Sequence, residues 1–326
     1  MDQWLKDNLV CPRDKQKLEL RGDRLFCSEN HAYPIVEDIP IMLLEEEERI
    51  HNYITETFES VARIKENGAA KNESFENAED TVDPFVQAEI PLTCGNLYSP
   101  LQHKLSRYPL PEFRMPASDG ERLIDVGCNW GRWSITAAQK GYKPVGIDPS
   151  LRAILAARRI SKQLKLEANF VVGDARLLPF ATSSFDAGFS YGVFQHFSKE
   201  NAKNSLSELS RVVKKDGKIM AQMPNKYGIR SFQQQARRKF SEGEGFEVRY
   251  WTPDELMKFF KQTFGETKMT ADCYFGLGIQ KNDVDLLPTK FKIVVHSSEV
   301  LRKISRKLPF MTKVADSVYL EAINQK

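Results

Sequence analysis

Long apolar runs are missing from this sequence. None of its 326 residues lies in a stretch approaching the roughly 18 consecutive apolar residues of a membrane span. The opening MDQWLKDNLVCPRDK also turns polar too early for a cleaved leader. A soluble, cytoplasmic protein is the expectation. Cysteine is scarce: five residues, at positions 11, 27, 94, 128 and 273, are scattered too widely for a disulfide scaffold and suit a reducing compartment. An excess of one charge is lacking too. Against 47 Lys and Arg stand 44 Asp and Glu, and the formal net charge of +3 makes no global demand for nucleic acid or an anionic membrane. What remains is a chain with 41% hydrophobic content, enough to bury one sizeable core and carry a small appendage.

Apolar periodicity divides the chain into three parts. Residues 1–45 contain short strand-like pieces (KLEL, DRLFC, YPIVEDIPIML) broken by charged turns, too few to bury a core without a staple. Residues 46–118 form a linker and cover segment. Its polar, helix-prone start runs into the low-complexity KENGAAKNESFENAEDTVD at 65–83, and its second half, PLTCGNLYSPLQHKLSRYPLPEFRMP, has aromatic and apolar residues that a plain linker would not need. Residues 119–326 are the main domain.

In that domain strands alternate with helices. RLIDVG, KPVGID, NFVVGD, FDAGFSY and KIMAQMP are short apolar runs, separated by helical patterns in WSITAAQKGY, LRAILAARRISKQLKL and KENAKNSLSELSRVVKKDG. Crossovers of this length imply a mostly parallel sheet and an α/β, doubly wound, Rossmann-like fold. Further on, TPDELMKFFKQT reads as a helix with Thr252 at its N-cap and Pro253 at N1, and SVYLEAI as a terminal strand.

Ligands of such a sheet sit at the carboxyl ends of its strands, closest to the loop after the first strand. That loop is in LIDVGCNWGRW, residues 123–133. A dinucleotide fingerprint needs glycine at 127, 129 and 132, and the sequence has Gly127, Asn129 and Arg132. The surviving pattern is G-x-N-x-G, with Gly127 and Gly131 permitting the turn and Asn129 being the non-glycine type that best tolerates a left-handed backbone. A smaller anionic end than pyrophosphate fits it. The amino-acid end of S-adenosylmethionine qualifies, its carboxylate meeting the turn amides and its ammonium attracted by Asp125. Asp148, 23 residues beyond Asp125, stands where a ribose-binding acid is expected, and Asp174 ends the next strand, where it can accept from an adenine amino group.

With those motifs in order, the stretch from Arg122 to Asn225 resembles the class I S-adenosylmethionine-dependent methyltransferases. It carries the loop at Asp125 to Gly131, the acid at Asp148, GDARLLPF at 173–180, SFDAGFSYGVFQHF at 184–197 and LSRVVKKDGKIMAQMP at 209–224. The resemblance implies a seven-stranded sheet in the order 3-2-1-4-5-7-6, with SVYLEAI as the reversed strand and KMTADCYF as its neighbour. It also implies that Asp125, Gly127, Cys128, Asn129, Gly131, Asp148, Pro149, Asp174, Ala175 and Tyr191 surround the cofactor S-adenosylmethionine. His196, in GVFQHF just beyond the fourth strand, then lies near the transferred methyl, either as a general base or as a packing residue. GNLYSPLQHKLSRYPLPEF and PNKYGIRSFQQQARRKF flank the core where an acceptor would be covered. The expected acceptor is a small molecule offering an oxygen or nitrogen nucleophile.

The N-terminal part has Cys11 and Asp14 in one turn and Cys27 and His31 in another, C-x2-D and C-x3-H. Two such turns resemble a zinc ribbon, in which four ligands around the ion supply the stability that a small module lacks. Asp14 occupies a cysteine position, so a zinc site and a metal-free relic both remain open. The opening, with C-x3-H and an aromatic-Pro-Ile run leading to DIPIML, also looks like the short zinc module found before bacterial methyltransferases, including guanine-modifying ribosomal RNA enzymes. RNA, held through the basic tract LRKISRKLP, is therefore the rival acceptor.

Overall fold

The structure is a computed structural model that describes residues 1–46, 52–67, 81–276, 278 and 280–326. Most of the low-complexity stretch at 65–83 lies outside the described residues. The chain begins with the short helix α1 (Gln3–Asn8), capped by Asp2, whose carboxylate accepts from the Trp4 amide. Four short strands follow: β1 (Glu19–Arg21), β2 (Arg24–Phe26), β3 (Ala32–Val36) and β4 (Ile39–Met42). The β3–β4 hairpin turns on Glu37 and Asp38, both at positive φ (48° and 63°), as a two-residue turn of the right twist requires.

Helices α2 (Asn52–Asn67) and α3 (Pro84–Cys94) lead to the doubly wound part. There β5 (Arg122–Val126), α4 (Arg132–Gln139), β6 (Lys143–Asp148), α5 (Leu151–Gln163), β7 (Asn169–Gly173), β8 (Phe185–Tyr191), α6 (Lys199–Val212) and β9 (Val213–Pro224) alternate. The expected helix over 199–217 ends early. Val213 already pairs with Phe185, the register then jumps so that Ala187 faces Lys218, and Gly217 lets this irregularity pack against the Asp186 carbonyl. The remaining elements are α7 (Ile229–Arg237), α8 (Pro253–Phe264), β10 (Thr267–Cys273), α9 (Thr289–Ser305) and β11 (Ser317–Ile323). Thr252 caps α8 in a full capping box with Glu255, and Pro253 is its first residue. The basic tract forms the end of α9 and the turn after it.

Strands β5 to β11 lie in the order β7-β6-β5-β8-β9-β11-β10, which is 3-2-1-4-5-7-6 when counted from β5. The first five run parallel, and β11 is antiparallel to both its neighbours. The fold is the expected one, with an addition that periodicity did not foretell. The N-terminal strands continue the same sheet: β4 pairs in parallel with β7, Ile41 opposite Val172 and Met42 opposite Gly173, giving eleven strands among the described residues. All four β4 residues are buried: Met42 packs into the core on one face, and Ile39 and Ile41 pack against α2 and α5 on the other, while pairing with β7 satisfies the backbone edge. Leu5, Leu25, Tyr33 and Met42 share one core with Val126, Phe180, Phe185 and Leu206.

Alternation along β5 sets the two faces. Ile124 and Val126 point into that core with α6 and α8, whereas Leu123 joins Trp133 of α4, Phe189 and Tyr319 on the other face. The proline-rich stretch before β5 packs on α4 and α5 through Tyr98, Leu105 and Tyr108. Among the described residues no helix is long and apolar enough to cross a membrane.

Candidate functional site

A central pocket opens at the carboxyl ends of β5, β6, β7 and β8. Three backbone conformations shape its floor: Gly127 at φ 74°, Asn129 at φ 48° and Gly131 at φ 79°. The sequence pattern G-x-N-x-G thus marks three left-handed residues in one turn. Gly127 has a further reason to be glycine, because a Cβ there would fall 2.1 Å from Val193 Cγ2. The Asn129 side chain closes the turn by accepting from the Trp130 amide at 2.8 Å.

Gly127, Asn129, Asp148, Pro149, Asp174, Ala175, Tyr191 and His196 all line this pocket. Asp148 ends β6 with one carboxylate oxygen on the Asn129 amide (3.0 Å) and the other on the Ser150 amide (2.9 Å). Each oxygen keeps a second acceptor site for hydroxyls in the pocket. Burial pushes the Asp148 carboxyl up to about 6 against these two amide bonds.

Three of the sequence candidates stand away from the wall. Asp125 is buried behind the loop, accepting from Ser134 Oγ of α4 at 2.6 Å, and burial raises its carboxyl to about 7. Cys128 packs beneath the turn, its Sγ against Gly146. Gly131 caps α4 and lets the helix start close to Ala157 and Phe170. Asp174 lines the pocket, but its carboxylate is clasped by Arg176, Nη2 to Oδ2 at 2.6 Å and Nε to both oxygens.

His196 sits in a 3₁₀ turn after β8 with both ring nitrogens engaged. Nδ1 lies 2.6 Å from the Phe246 carbonyl, which can only accept, so Nδ1 carries a proton; Nε2 lies 3.1 Å from the Gln195 side-chain nitrogen and accepts from it. The Phe246 ring stacks on the imidazole at 3.9 Å, and Arg249 holds this segment in place through the His196 carbonyl at 2.7 Å.

Sequence reasoning missed the residues that close the pocket from above: Tyr53 and Ile54 of α2, Leu92 and Thr93 of α3, and Phe246. They come from segments far apart in the chain. Thr57 bridges α2 to the β6–α5 turn, donating to the Pro149 carbonyl (2.8 Å) and accepting from the Leu151 amide (3.0 Å). Trp130 Nε1 bonds Thr93 Oγ1 at 3.1 Å and ties α3 to the loop. Under this cover the cavity measures about 150 Å³.

At the N-terminus, Cys11 Sγ, Asp14 Oδ2, Cys27 Sγ and His31 Nδ1 converge, with all ligand atoms within 4.8 Å of one another. The recorded separations are 3.1 Å (His31 to Asp14), 3.2 Å (Cys27 to His31), 3.4 Å (Cys27 to Asp14) and 3.6 Å (Cys11 to His31). Tetrahedral zinc with bonds of about 2.0–2.3 Å has ligand edges of about 3.3–3.8 Å. Two of the four separations fall in that range and two just below it, and two thiols, an imidazole and a carboxylate are ligands that zinc accepts.

The strand order and the reversed β11 are those of the class I S-adenosylmethionine-dependent methyltransferase fold. Residues 123–217 match the family described as methyltransferase domain. A demethylmenaquinone methyltransferase of Renibacterium salmoninarum is 34% identical over 105 residues, 32% of this chain and 41% of the relative. A 2-phytyl-1,4-naphtoquinone methyltransferase of Synechocystis is 37% identical over 109 residues, 31% of this chain and 44% of the relative. The chain thus spans about two fifths of the length of these curated relatives. Among solved structures, phosphoethanolamine N-methyltransferase 2 of Haemonchus contortus with S-adenosylmethionine is similar at 16% identity and a TM-score of 0.48, covering 76% of this chain and 61% of that one.

Proposed function

We propose that this protein is an S-adenosylmethionine-dependent methyltransferase acting on a small-molecule acceptor through an oxygen or nitrogen nucleophile. The observation that carries the reading is the meeting of Gly127, Asn129, Asp148 and Asp174 on one pocket at the carboxyl ends of β5, β6 and β7. When bound, the cofactor supplies a methyl group already activated on a sulfonium. The protein's part is to bind, to orient and to exclude water. Asp148 offers its two free acceptor sites to ribose hydroxyls. The amides of the 127–131 turn and the start of α4 receive the carboxylate of the methionine end, with Asp125 close behind the turn. Asp174, its carboxylate clasped by Arg176, serves the adenine end. Ile54 is buried and Tyr53 half-buried over the pocket, while Leu92 and Phe246 stand exposed at its rim, where a bound ligand would cover them.

His196 Nε2 is the candidate base for the acceptor, freed for that role when the Gln195 amide turns away. A narrow, covered pocket suits a small acceptor, and the names of the quinone-methylating relatives agree in class, although the shared stretch is the cofactor-binding half. Cys11, Asp14, Cys27 and His31 hold a structural zinc in this reading.

The test has two parts. Wild-type protein should bind S-adenosylhomocysteine and Asp148→Ala should lose that binding; equal affinity in the two would end the cofactor assignment. Methyl-labelled cofactor, incubated with the small-molecule and RNA fractions of a cell extract, should label the small molecules. Label entering RNA instead would overturn the acceptor class.

A further inference from the structure

A second cleft, of about 550 Å³, lies between residues 112–114, the β10–β11 ladder and the end of α9. It shares no lining residue with the central pocket. Two polar groups in its wall are buried without a partner: the Nε of Arg114 and the hydroxyl of Tyr319, a residue only 1% exposed. Folded proteins rarely leave such groups unsatisfied, so each calls for an explanation. An arginine Nε only donates, and burial keeps the Tyr319 hydroxyl protonated, so both are unpaired donors set into the wall of the cleft.

The charged groups around these donors point the same way. Arg114 Nη1 is paired with Asp272 at 2.9 Å and Arg302 with Glu299 at 2.5 Å, while Lys140 is spent on the carbonyls of Phe113 and Met115. Lys268 and Arg306, both exposed at the cleft, form no ion pair among the described residues. Two carboxylates face the same space. Glu112 is exposed, and Glu321, opposite Lys268 in the ladder, turns to accept from Thr270 Oγ1 at 2.8 Å. Phe113, Met220 and Met269 complete the wall with apolar surface.

Unpaired donors at the base, unpaired cations at the mouth and apolar flanks describe a receptor for an organic anion. We propose that this cleft is a second ligand site, which takes a phosphate or carboxylate group on Arg114 and Tyr319, with Lys268 and Arg306 closing over it. The proposal does not rest on the methyl-transfer reading, since no residue of the central pocket lines this cleft; the two meet only behind their walls, where Asp272 binds both Arg114 and Tyr191.

Calorimetric titration of the full chain with inorganic pyrophosphate at constant ionic strength, with and without saturating S-adenosylhomocysteine, tests the proposal. Saturable binding that the nucleoside leaves unchanged is expected. Tyr319→Phe keeps the ring and removes only the unpartnered hydroxyl; it should weaken binding about fivefold, as loss of one hydrogen bond does. The double variant Lys268→Ala, Arg306→Ala touches only exposed side chains and should weaken it about tenfold or more. Unfolding temperatures measured without anion check that both variants fold. Repeating the titration with citrate separates a phosphate site from a carboxylate site by which anion binds more tightly. Absence of saturable binding of either anion, equal affinity in wild type and both variants, or competition by S-adenosylhomocysteine would overturn the proposal. Anion binding by a protein that fails to bind the nucleoside would uphold it while ending the functional reading above.

Discussion

Tyr191, in the wall of the central pocket, donates its hydroxyl to Asp272 of β10 at 2.7 Å, reaching past the two strands between them in the sheet. Asp272 is fully buried and also receives Ser317 Oγ at 2.8 Å and the Arg114 guanidinium at 2.9 Å. Tyr191 is gripped on its other side by Trp133, stacked at 4.4 Å. The pocket wall is therefore held by the last strands of the chain.

Removing that acid should cost far more than removing the phenol. Asp272→Ala leaves a largely buried guanidinium without its counter-charge and should destabilise by about 3–5 kcal/mol. Tyr191→Phe keeps the stacking and should cost about 1 kcal/mol. Urea denaturation midpoints compare the two, and similar losses would count against the network.

Gly127→Ala meets two obstacles: a φ of 74° and a Cβ placed 2.1 Å from Val193. Loss of S-adenosylhomocysteine binding is expected. Adding Val193→Ala relieves the contact but not the left-handed backbone, which costs about 1–2 kcal/mol for a residue with a Cβ. Binding should thus recover in part. Full recovery would show that the backbone conformation is unimportant.

Burial raises Asp125 to about 7 and Asp148 to about 6, from an ordinary 3.8. Both groups bind protons more tightly folded than unfolded. Their contribution to the stability of the ligand-free protein is complete below about pH 3.8 and is lost as pH climbs to about 7. Binding of the adenosyl cofactor wants the opposite state, since ionised carboxylates accept from hydroxyl and ammonium. Affinity should rise between pH 5 and about 7 and then level off, as read by titration. A flat profile would contradict the roles assigned to these acids.

His196→Ala should lower turnover about 10²–10⁴-fold if the imidazole acts as base. S-adenosylhomocysteine affinity should stay near that of the wild type. Turnover that survives the substitution would leave the ring as packing for Phe246.

Elemental analysis should find about one zinc per chain, lost in Cys11→Ser together with several degrees of unfolding temperature. A chelator should act on the wild type in the same direction. Metal-free protein of unchanged stability would mark the cluster as a relic.

Local constraints on the backbone were legible in the sequence. Alternating periods of two and 3.6 residues specify strands and crossover helices, though not the order of β5 to β11 in the sheet, which followed only from the resemblance of the motifs to a known family; the periods are legible because they are properties of consecutive residues. The left-handed turn at Gly127, Asn129 and Gly131 was readable for the same reason: only certain residue types accept such dihedrals. Edge pairing of β4 with β7 was not, since a short apolar strand carries no mark of its partner.

The sequence by itself determined the sheet, the loop after β5 and the acids at the strand ends. Only the tertiary structure decided what each acid faces: Asp125 turns to Ser134, Asp174 is clasped by Arg176, and Asp148 keeps its free acceptor sites toward the pocket. It also decided that Tyr53, Leu92 and Phe246 meet above them. The physical reason is that dihedral preferences and hydrophobic period are encoded residue by residue, whereas a hydrogen bond or a stacked ring between distant positions exists only once the path of the whole chain has brought them together.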